Sequence, residues 1–163
     1  MVCWDFKPGL PGATFVGEVG LDGRAKTSAD DQERVFRTVL ELVAADPRPV
    51  TVHSTAATAR VLDLVESYEQ PGIILHWWRG TDKETERALK LGCWFSINGA
   101  EAGNPKCPGA VRTIERALGE TWGLDEWGVR RQIWQNLRRL LEGTNQLSRM
   151  PRGIRRAMLV VGR

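Results

Sequence analysis

The sequence predicts an α/β fold with a parallel sheet, and two observations lead to that prediction. Four short apolar runs, rich in β-branched or aromatic residues, lie at Thr14–Leu21, Val50–His53, Ile73–Trp77 and Cys93–Asn98. Strands that are buried on both faces have this continuous apolar character. Helical patterns separate the runs, and such an alternation connects parallel neighbours through right-handed crossovers.

The helices between these runs have recognisable beginnings and ends. Ser28 is a good N-cap for a helix that continues to about Ala45. A second apolar pattern, at Val61–Val65, ends before Pro71-Gly72. The sequence Thr81-Asp82-Lys83-Glu84 is a capping box and begins a third helix. The predicted order is therefore β-α-β-α-β-α-β.

The character of the chain changes after this alternation. Positions 99–109 predict a loop, and helices are expected over Val111–Leu118 and from about Asp125 to Leu141. We expect an α/β domain over residues 1–142 and an arginine-rich extension over residues 143–163. Nine arginines fall in the last stretch of the chain, partly before this extension and partly within it. They either meet phosphate or an acidic partner, or they belong to a solvated helix face and a disordered end. The nine are Arg130, Arg131, Arg138, Arg139, Arg149, Arg152, Arg155, Arg156 and Arg163.

Composition limits the class of protein. A chain of 163 residues has room for one domain, and its 42% hydrophobic and 26% charged residues are ordinary for a globular protein. Its three cysteines are widely spaced and form no Cys-x-x-Cys pair, which favours a reducing compartment. No apolar stretch approaches the roughly 20 residues of a membrane span. The start of the chain also lacks the features of a secretion signal. These features predict a cytoplasmic protein that does not contact a membrane.

Three residues carry the candidate chemistry. Glu18, His53 and His76 each lie at or near the end of a separate predicted strand. In parallel α/β sheets functional side chains gather at the carboxyl ends of the strands, and neighbouring strands are only about 5 Å apart. Two imidazoles and a carboxylate at one edge predict a divalent-metal site. A single histidine on an apolar strand is more often a hydrogen-bonded core residue. Here two histidines end successive strands and an acid ends the strand before them, and this repetition favours a metal site.

Other chemistry is less well supported. Ser54 follows His53 directly, and adjacent residues on a strand point to opposite faces, so the two do not form a nucleophile–base pair. Cys93 reads as a small core residue. Trp77 and Trp78 either stack on bases or sugars or pack in the core, and strand alternation predicts that their rings face opposite ways. The sequence alone leaves catalytic and substrate-binding residues unassigned.

A series of motifs runs in order across roughly Thr14 to Asn98. The motifs are Gly17-Glu18-Val19-Gly20-Leu21-Asp22, Gln32, Phe36, Val52-His53-Ser54, Leu75-His76-Trp77-Trp78, Gly80-Thr81 and Gly92-Cys93-Trp94-Phe95-Ser96. In order and spacing they resemble the TatD-type metal-dependent hydrolases, and Asn136 resembles the asparagine of that family's last helix. The resemblance implies a TIM-type (β/α) barrel, here a partial one, and a nuclease that hydrolyses phosphoester bonds, typically as a DNase.

By the same resemblance, Glu18 corresponds to the carboxylate that bridges two metals, and His53 and His76 correspond to ligands of the second metal. The family's His-x-His, which binds the first metal, is not supplied before Thr14. Its late Thr-Asp-x-Pro-like segment does not follow Asn98, and Thr55 stands where the family often has arginine. The chain therefore reads as a family member that is truncated and internally deleted.

These departures change the expected function. We expect one divalent ion (Zn, Mn or Mg) rather than two, and hydrolysis that is weakened or lost. The substrate class is nucleic acid or another phosphoester. Four strands of an eight-stranded barrel leave two unpaired edges, through which the chain could self-associate. Two alternatives stay open: a non-catalytic remnant that binds nucleic acid or a partner, and a degenerate gene product.

Overall fold

A computed structural model describes residues 9–97 and 110–161 of the chain. Its centre is a sheet of four parallel strands whose order in space is their order in the sequence. A helix follows each of the first three strands, so the α/β prediction with parallel strands alternating with helices is confirmed. The strands are β1 (Val16–Gly20), β2 (Val50–His53), β3 (Ile73–Leu75) and β4 (Trp94–Phe95).

Three of the strands are shorter than predicted. β1 covers Val16–Gly20 rather than Thr14–Leu21. β3 ends at Leu75 rather than Trp77, because Trp77 adopts a left-handed backbone with φ of 46° that cannot continue a strand. The ladder to β2 extends one step further, since the His76 amide donates to the Val52 carbonyl at 2.9 Å. β4 covers only two residues, and the predicted strand end at Asn98 lies outside the described residues.

Two of the three helices that cross over between the strands begin at the predicted caps, whereas the second begins at Thr58 without a side-chain cap. The Ser28 hydroxyl accepts a hydrogen bond from the Asp31 amide at 3.1 Å, and Thr81 and Glu84 form both halves of the capping box. These caps satisfy backbone donors that the first turn of a helix leaves free. The three helices are α1 (Ala29–Ala45), α2 (Thr58–Tyr68) and α3 (Asp82–Lys90).

The hydrophobic core lies between the sheet and these helices. Val50, Val52 and Leu75 are completely buried on the strands, so β2 and β3 contribute little polar surface. The apolar faces of α1 and α2 cover them with Phe36, Leu40, Val43, Val61, Leu62, Leu64 and Val65, each at most 3% exposed. Burial of this kind stabilises the fold by roughly 25 cal/mol per Å² of apolar surface, and it fixes the positions of the strand ends.

Three further helices follow the sheet: α4 (Ala110–Trp122), α5 (Glu126–Gly143) and α6 (Arg152–Val161). The first two were predicted, and α6 was not predicted as a helix. α4 and α5 are joined by an ion pair, because Glu115 on α4 accepts two hydrogen bonds of 2.8 Å from the Arg130 guanidinium on α5. No helix among the described residues is long and apolar enough to cross a membrane. The predicted loop over positions 99–109 lies outside the described residues.

The segment after α5 is attached to the amino-terminal edge of the sheet. The Gln146 side-chain amide donates to the Pro47 carbonyl at 2.9 Å, just before β2, and the Arg149 guanidinium donates to the Pro11 carbonyl, before β1. Thr144 and Gln146 are buried. The helical end of the chain is thus joined to the face of the molecule opposite the carboxyl ends of the strands. The division into residues 1–142 and 143–163 stays a prediction.

Candidate metal centre

The carboxyl ends of three adjacent strands bring the candidate residues together. Glu18 lies on β1, His53 is the last residue of β2, and His76 follows β3 directly. The parallel register pairs Gly20 with His53, which sets the end of β1 beside the end of β2. The predicted clustering of these three side chains at one edge of the sheet is therefore observed.

The Glu18 carboxylate lies between the two imidazoles. One oxygen, Oε1, is 2.9 Å from His53 Nδ1, and the other, Oε2, is 3.9 Å from His76 Nε2. All three side chains are 28–41% exposed, so they line an open edge rather than a sealed core. A carboxylate that faces two imidazoles in this way could share one cation with both of them.

Two glycines make this approach of β1 to β2 possible. A Cβ atom on Gly20 would lie 2.1 Å from the His53 carbonyl oxygen, and one on Gly17 would lie 2.9 Å from Thr51. Both glycines also have φ near 140°, a region that residues with a side chain rarely adopt. The Gly-Glu-x-Gly spacing therefore has a physical reason: it lets the strand that carries Glu18 pass close to the strand that carries His53.

Asp22 belongs to the same cluster, and the sequence analysis did not include it in the metal set. Its Oδ2 lies 3.3 Å from His53 Nε2. Gln32 on α1 fixes the Asp22 backbone, because its side-chain oxygen accepts from the Asp22 amide at 2.7 Å. The backbone amide of Arg24 and the hydrogen bond with His53 hold the pKa of the Asp22 carboxyl below its usual value. The sequence did contain a signal for Asp22, because Asp22 is the last residue of the Gly-Glu-x-Gly-Leu-Asp motif.

His76 is held from the other side by the end of β4. The Ser96 hydroxyl lies 3.4 Å from His76 Nδ1 and also accepts a hydrogen bond from the Trp77 amide at 3.1 Å. A partner on Nδ1 orients the ring and leaves Nε2 toward Glu18. Ser96 is thus a second member of the cluster that the sequence analysis quoted only as part of a motif.

The two tryptophans after His76 have different surroundings. Trp77 is 52% exposed and its ring stacks on the His76 ring with centroids 5.1 Å apart. Trp78 is half-buried, packs edge-on against Phe95 and donates to the Thr85 hydroxyl at 2.8 Å. The rings do face different ways, but the cause is the left-handed backbone at Trp77 and not strand alternation.

The donor types at this edge suit a divalent cation, but their present arrangement does not form a metal site. Within residues 9–97 and 110–161, no group of three or more His, Cys, Asp or Glu side chains is arranged to hold a metal ion. Both nitrogens of His53 face carboxylates, and carboxylates only accept, so the ring can donate to both only when both nitrogens carry protons. A cation would take the place of one such proton, as metals do when they bind imidazole.

The remaining candidates lie outside this cluster. Cys93 is buried, and burial raises the pKa of its thiol to about 11, which agrees with a small core residue. Asn136 on α5 accepts a hydrogen bond from the Gln132 side chain at 2.8 Å, one turn away on the same helix. Neither residue is joined to Glu18, His53 or His76 by any contact among the described residues.

Comparisons with known proteins match part of this chain to one family. Residues 10–106 match the family described as TatD related DNase. The chain is 35% identical over 92 residues to the 3'-5' ssDNA/RNA exonuclease TatD of Citrobacter koseri, which covers 55% of this chain and 35% of that protein. It is 36% identical over 100 residues to the protein of the same name from Edwardsiella piscicida, with 58% and 38% covered.

A solved structure of YjjV, a TatD homologue from Escherichia coli K12, aligns with 61% of this chain and 39% of its own, at 22% identity and a TM-score of 0.49. The chain spans about a third of the length of the curated relatives it matches. The family match covers more than half of the chain and includes Glu18, His53 and His76. The chain therefore belongs to the TatD-related DNase family.

Proposed function

We propose that this chain is a metal-dependent hydrolase of phosphoester bonds, acting on nucleic acid as a weakened TatD-like nuclease. The observation that supports it best is the Glu18 carboxylate between the rings of His53 and His76, 2.9 and 3.9 Å from their nearest nitrogens. The relatives that share this part of the chain are named as exonucleases of single-stranded DNA and RNA. The sequence prediction of a cytoplasmic protein stays a prediction.

Glu18, His53 and His76 would hold the cation. One carboxylate and two imidazoles form a set for a single ion, and Zn²⁺ or Mn²⁺ accepts such mixed oxygen and nitrogen ligands, with Mg²⁺ a weaker match. A bound divalent cation supplies Lewis-acid polarisation of a phosphate oxygen. Ser96 would keep the His76 ring oriented, since it lies 3.4 Å from the nitrogen that faces away from Glu18.

The proton acceptor for an attacking water is the weak part of the centre. Asp22 is the nearest further carboxylate, 3.3 Å from His53. Because the Arg24 amide and His53 lower its pKa, Asp22 stays ionised at neutral pH but is a poor base. The two histidines of the chain, His53 and His76, are far apart in the sequence, so they do not form a His-x-His pair for a first metal. Slow hydrolysis is the expected consequence.

Cleavage of a 3'-labelled single-stranded oligonucleotide with Mn²⁺ tests the proposal. We expect slow metal-dependent cleavage that Glu18→Gln abolishes, because the amide loses the charge that attracts the cation. Glu120→Gln, on the exposed face of α4, is the matched control and should cleave at the original rate. Cleavage that persists in Glu18→Gln would reveal a contaminating nuclease. If no cleavage occurs at saturating metal, hydrolysis is contradicted and nucleic-acid binding is the function that remains to be tested.

Binding without cleavage is the second candidate function, and Trp77 favours it. Its half-exposed ring lies at the mouth of a cleft of about 380 Å³ that Trp78, Phe95 and Ile97 also line. Bases stack on exposed aromatic rings with roughly 1–3 kcal/mol for each base. Oligonucleotide binding that weakens with salt and with Trp77→Ala, in the absence of cleavage, would select this function.

Self-association is a further part of the proposal. Among the described residues β1 pairs only with β2, and β4 pairs only with β3, so the sheet has two open edges. Unpaired backbone groups on such edges are ready to pair with another strand. A mass above 18.2 kDa in sedimentation equilibrium would support it, and a monomer at every concentration would contradict it.

A further inference from the structure

One cleft among the described residues lies away from the candidate metal centre. It has a volume of about 710 Å³ and is formed where the end of α5 meets α6. Four arginines line it, namely Arg138, Arg152, Arg155 and Arg156. The only carboxylate in its lining is Glu142, which already pairs with Arg138 at 2.7 Å. We call this feature the arginine cleft.

Three of these arginines lack a counter-charge. In the described part of the chain, the guanidinium groups of Arg152, Arg155 and Arg156 have no hydrogen-bond or ion-pair partner. The Nε atom of Arg155 is also shielded from solvent. A buried donor without a partner costs about 1–3 kcal/mol, and more when it is charged.

The surroundings add to the positive potential of the cleft. All three arginines lie in the first five residues of α6, where the unsatisfied amides carry the positive end of the helix dipole, and no acidic residue lies in the first turn. Cations at this end of a helix are unfavourable, whereas anions are stabilised. The arrangement of Arg152, Arg155 and Arg156 is therefore that of an anion site rather than that of a helix end built for its own stability.

The floor of the cleft is apolar and so limits the kind of anion. Leu147 and the 52% exposed Leu159 supply its accessible apolar surface, above the buried Leu141 and Met158. A cleft of 300–1,000 Å³ with an apolar lining and a few polar groups has the size of a small-molecule site. Arginine binds phosphate through paired donors, while an apolar floor accepts the flat face of a base.

The arginine cleft is separate from the candidate metal centre. Gln146 and Arg149, which precede α6, bond to carbonyls of Pro47 and Pro11 at the amino-terminal edge of the sheet. Glu18, His53 and His76 lie at the carboxyl-terminal edge. A ligand in the cleft would therefore not be a substrate in position for hydrolysis, and its binding does not depend on the proposed function.

We propose that the arginine cleft binds a phosphate monoester of nucleotide size, with the phosphate on Arg155 and Arg156 and the base on the apolar floor. The test is a thermal melt of the full chain with adenosine 5'-monophosphate (AMP), inorganic phosphate or adenosine. AMP at about 100 times its dissociation constant should raise the melting temperature by roughly 5 °C or more. Inorganic phosphate should act more weakly, because it does not use the floor, and adenosine should have no effect.

Two variants and one control make the test specific. Arg156→Gln should abolish the AMP shift, while Arg116→Gln, an exposed arginine on α4, should keep it. Arg155→Met should abolish the shift but also melt at a higher temperature than the original chain without ligand, because it removes the shielded Nε donor that has no partner. A variant that merely failed to fold would show the opposite change in melting temperature.

Four outcomes would overturn the proposal. They are the absence of an AMP shift in the original chain, an equal shift in Arg156→Gln and Arg116→Gln, an equal response to phosphate and AMP, and a lower melting temperature for Arg155→Met. An equal shift in the two variants would mean a nonspecific response to net charge. An equal response to phosphate and AMP would mean that the cleft takes a free anion and not a nucleotide.

Discussion

The two ends of strand β2 carry polar residues that differ in how completely they are satisfied. Arg48, just before the strand, is fully buried, and its guanidinium bonds the carbonyls of Leu10 and Ala13 and the carboxylate of Asp46. The His53 side chain, at the other end, is 35% exposed and, among the described residues, pairs only with Glu18 and Asp22. The first arrangement leaves no room for a ligand. The second offers donors that a cation could take over, and we call this end of the sheet the functional edge because the proposed metal centre lies there.

Replacing Arg48, the buried residue whose guanidinium is fully hydrogen-bonded, should have the largest effect on stability. Arg48→Met removes the guanidinium donors to the Ala13 carbonyl and the Asp46 carboxylate, while the Leu10 carbonyl keeps the Ala13 amide as a donor. Each buried acceptor left without a donor costs about 1–3 kcal/mol. We expect the free energy of unfolding to fall by about 3 kcal/mol in urea denaturation. Arg34→Met removes an exposed ion pair with Asp31 and should cost less than about 1 kcal/mol. Equal losses would contradict the contrast between buried and exposed polar groups.

A glycine links stability to the functional edge. Gly20→Ala places a Cβ 2.1 Å from the His53 carbonyl oxygen, at a φ of 136°. We expect a loss of about 2 kcal/mol from backbone strain, together with a weaker response to metal because β1 must move away from His53. Gly143→Ala, at the end of α5 with open space around it, is the control and should change neither measurement. An unchanged melting temperature for Gly20→Ala would contradict the close approach of β1 and β2.

The smallest effect concerns an exposed network that serves neither edge. Hydrogen bonds from Arg60 and Arg37 lower the pKa of Glu33 to about 2. A lowered pKa stabilises the fold above the usual value of 4.5, and that contribution disappears as the pH falls toward 2. Glu33→Gln should therefore cost about 1 kcal/mol at pH 7 and almost nothing near pH 2, because exposed pairs are screened. Urea melts at both values check it, with the exposed Glu86→Gln as the neutral control.

The sequence predicted what depends on local patterns. The strand–helix alternation follows from apolar periodicity and caps such as Ser28, and these act within a few residues. Glu18, His53 and His76 were predicted to meet because parallel strands end at one edge, which needs no knowledge of the connecting path. The geometry of the cluster agrees with that prediction, while the metal-binding role of the three side chains stays a proposal.

What the sequence did not predict depends on contacts between distant residues. Arg48 is buried because carbonyls 35 and 38 positions away accept from it, and no local pattern reveals such partners. Asp22 reaches His53 because Gln32, ten residues later, holds its backbone. α6 escaped prediction because its arginines interrupt the apolar spacing around Met158, which only packing against α5 makes visible.

The most direct test of the functional edge is a thermal melt with excess Zn²⁺ or Mn²⁺ on the original chain and on His53→Ala. A ligand at 100 times its dissociation constant adds about 2.7 kcal/mol to the folded state, or roughly 5–10 °C for a chain of this size. We expect this rise in the original chain and in Thr55→Ala, an exposed neighbour, and its loss in His53→Ala. A melting temperature indifferent to metal, or an equal rise in His53→Ala, would contradict a metal centre at Glu18, His53 and His76.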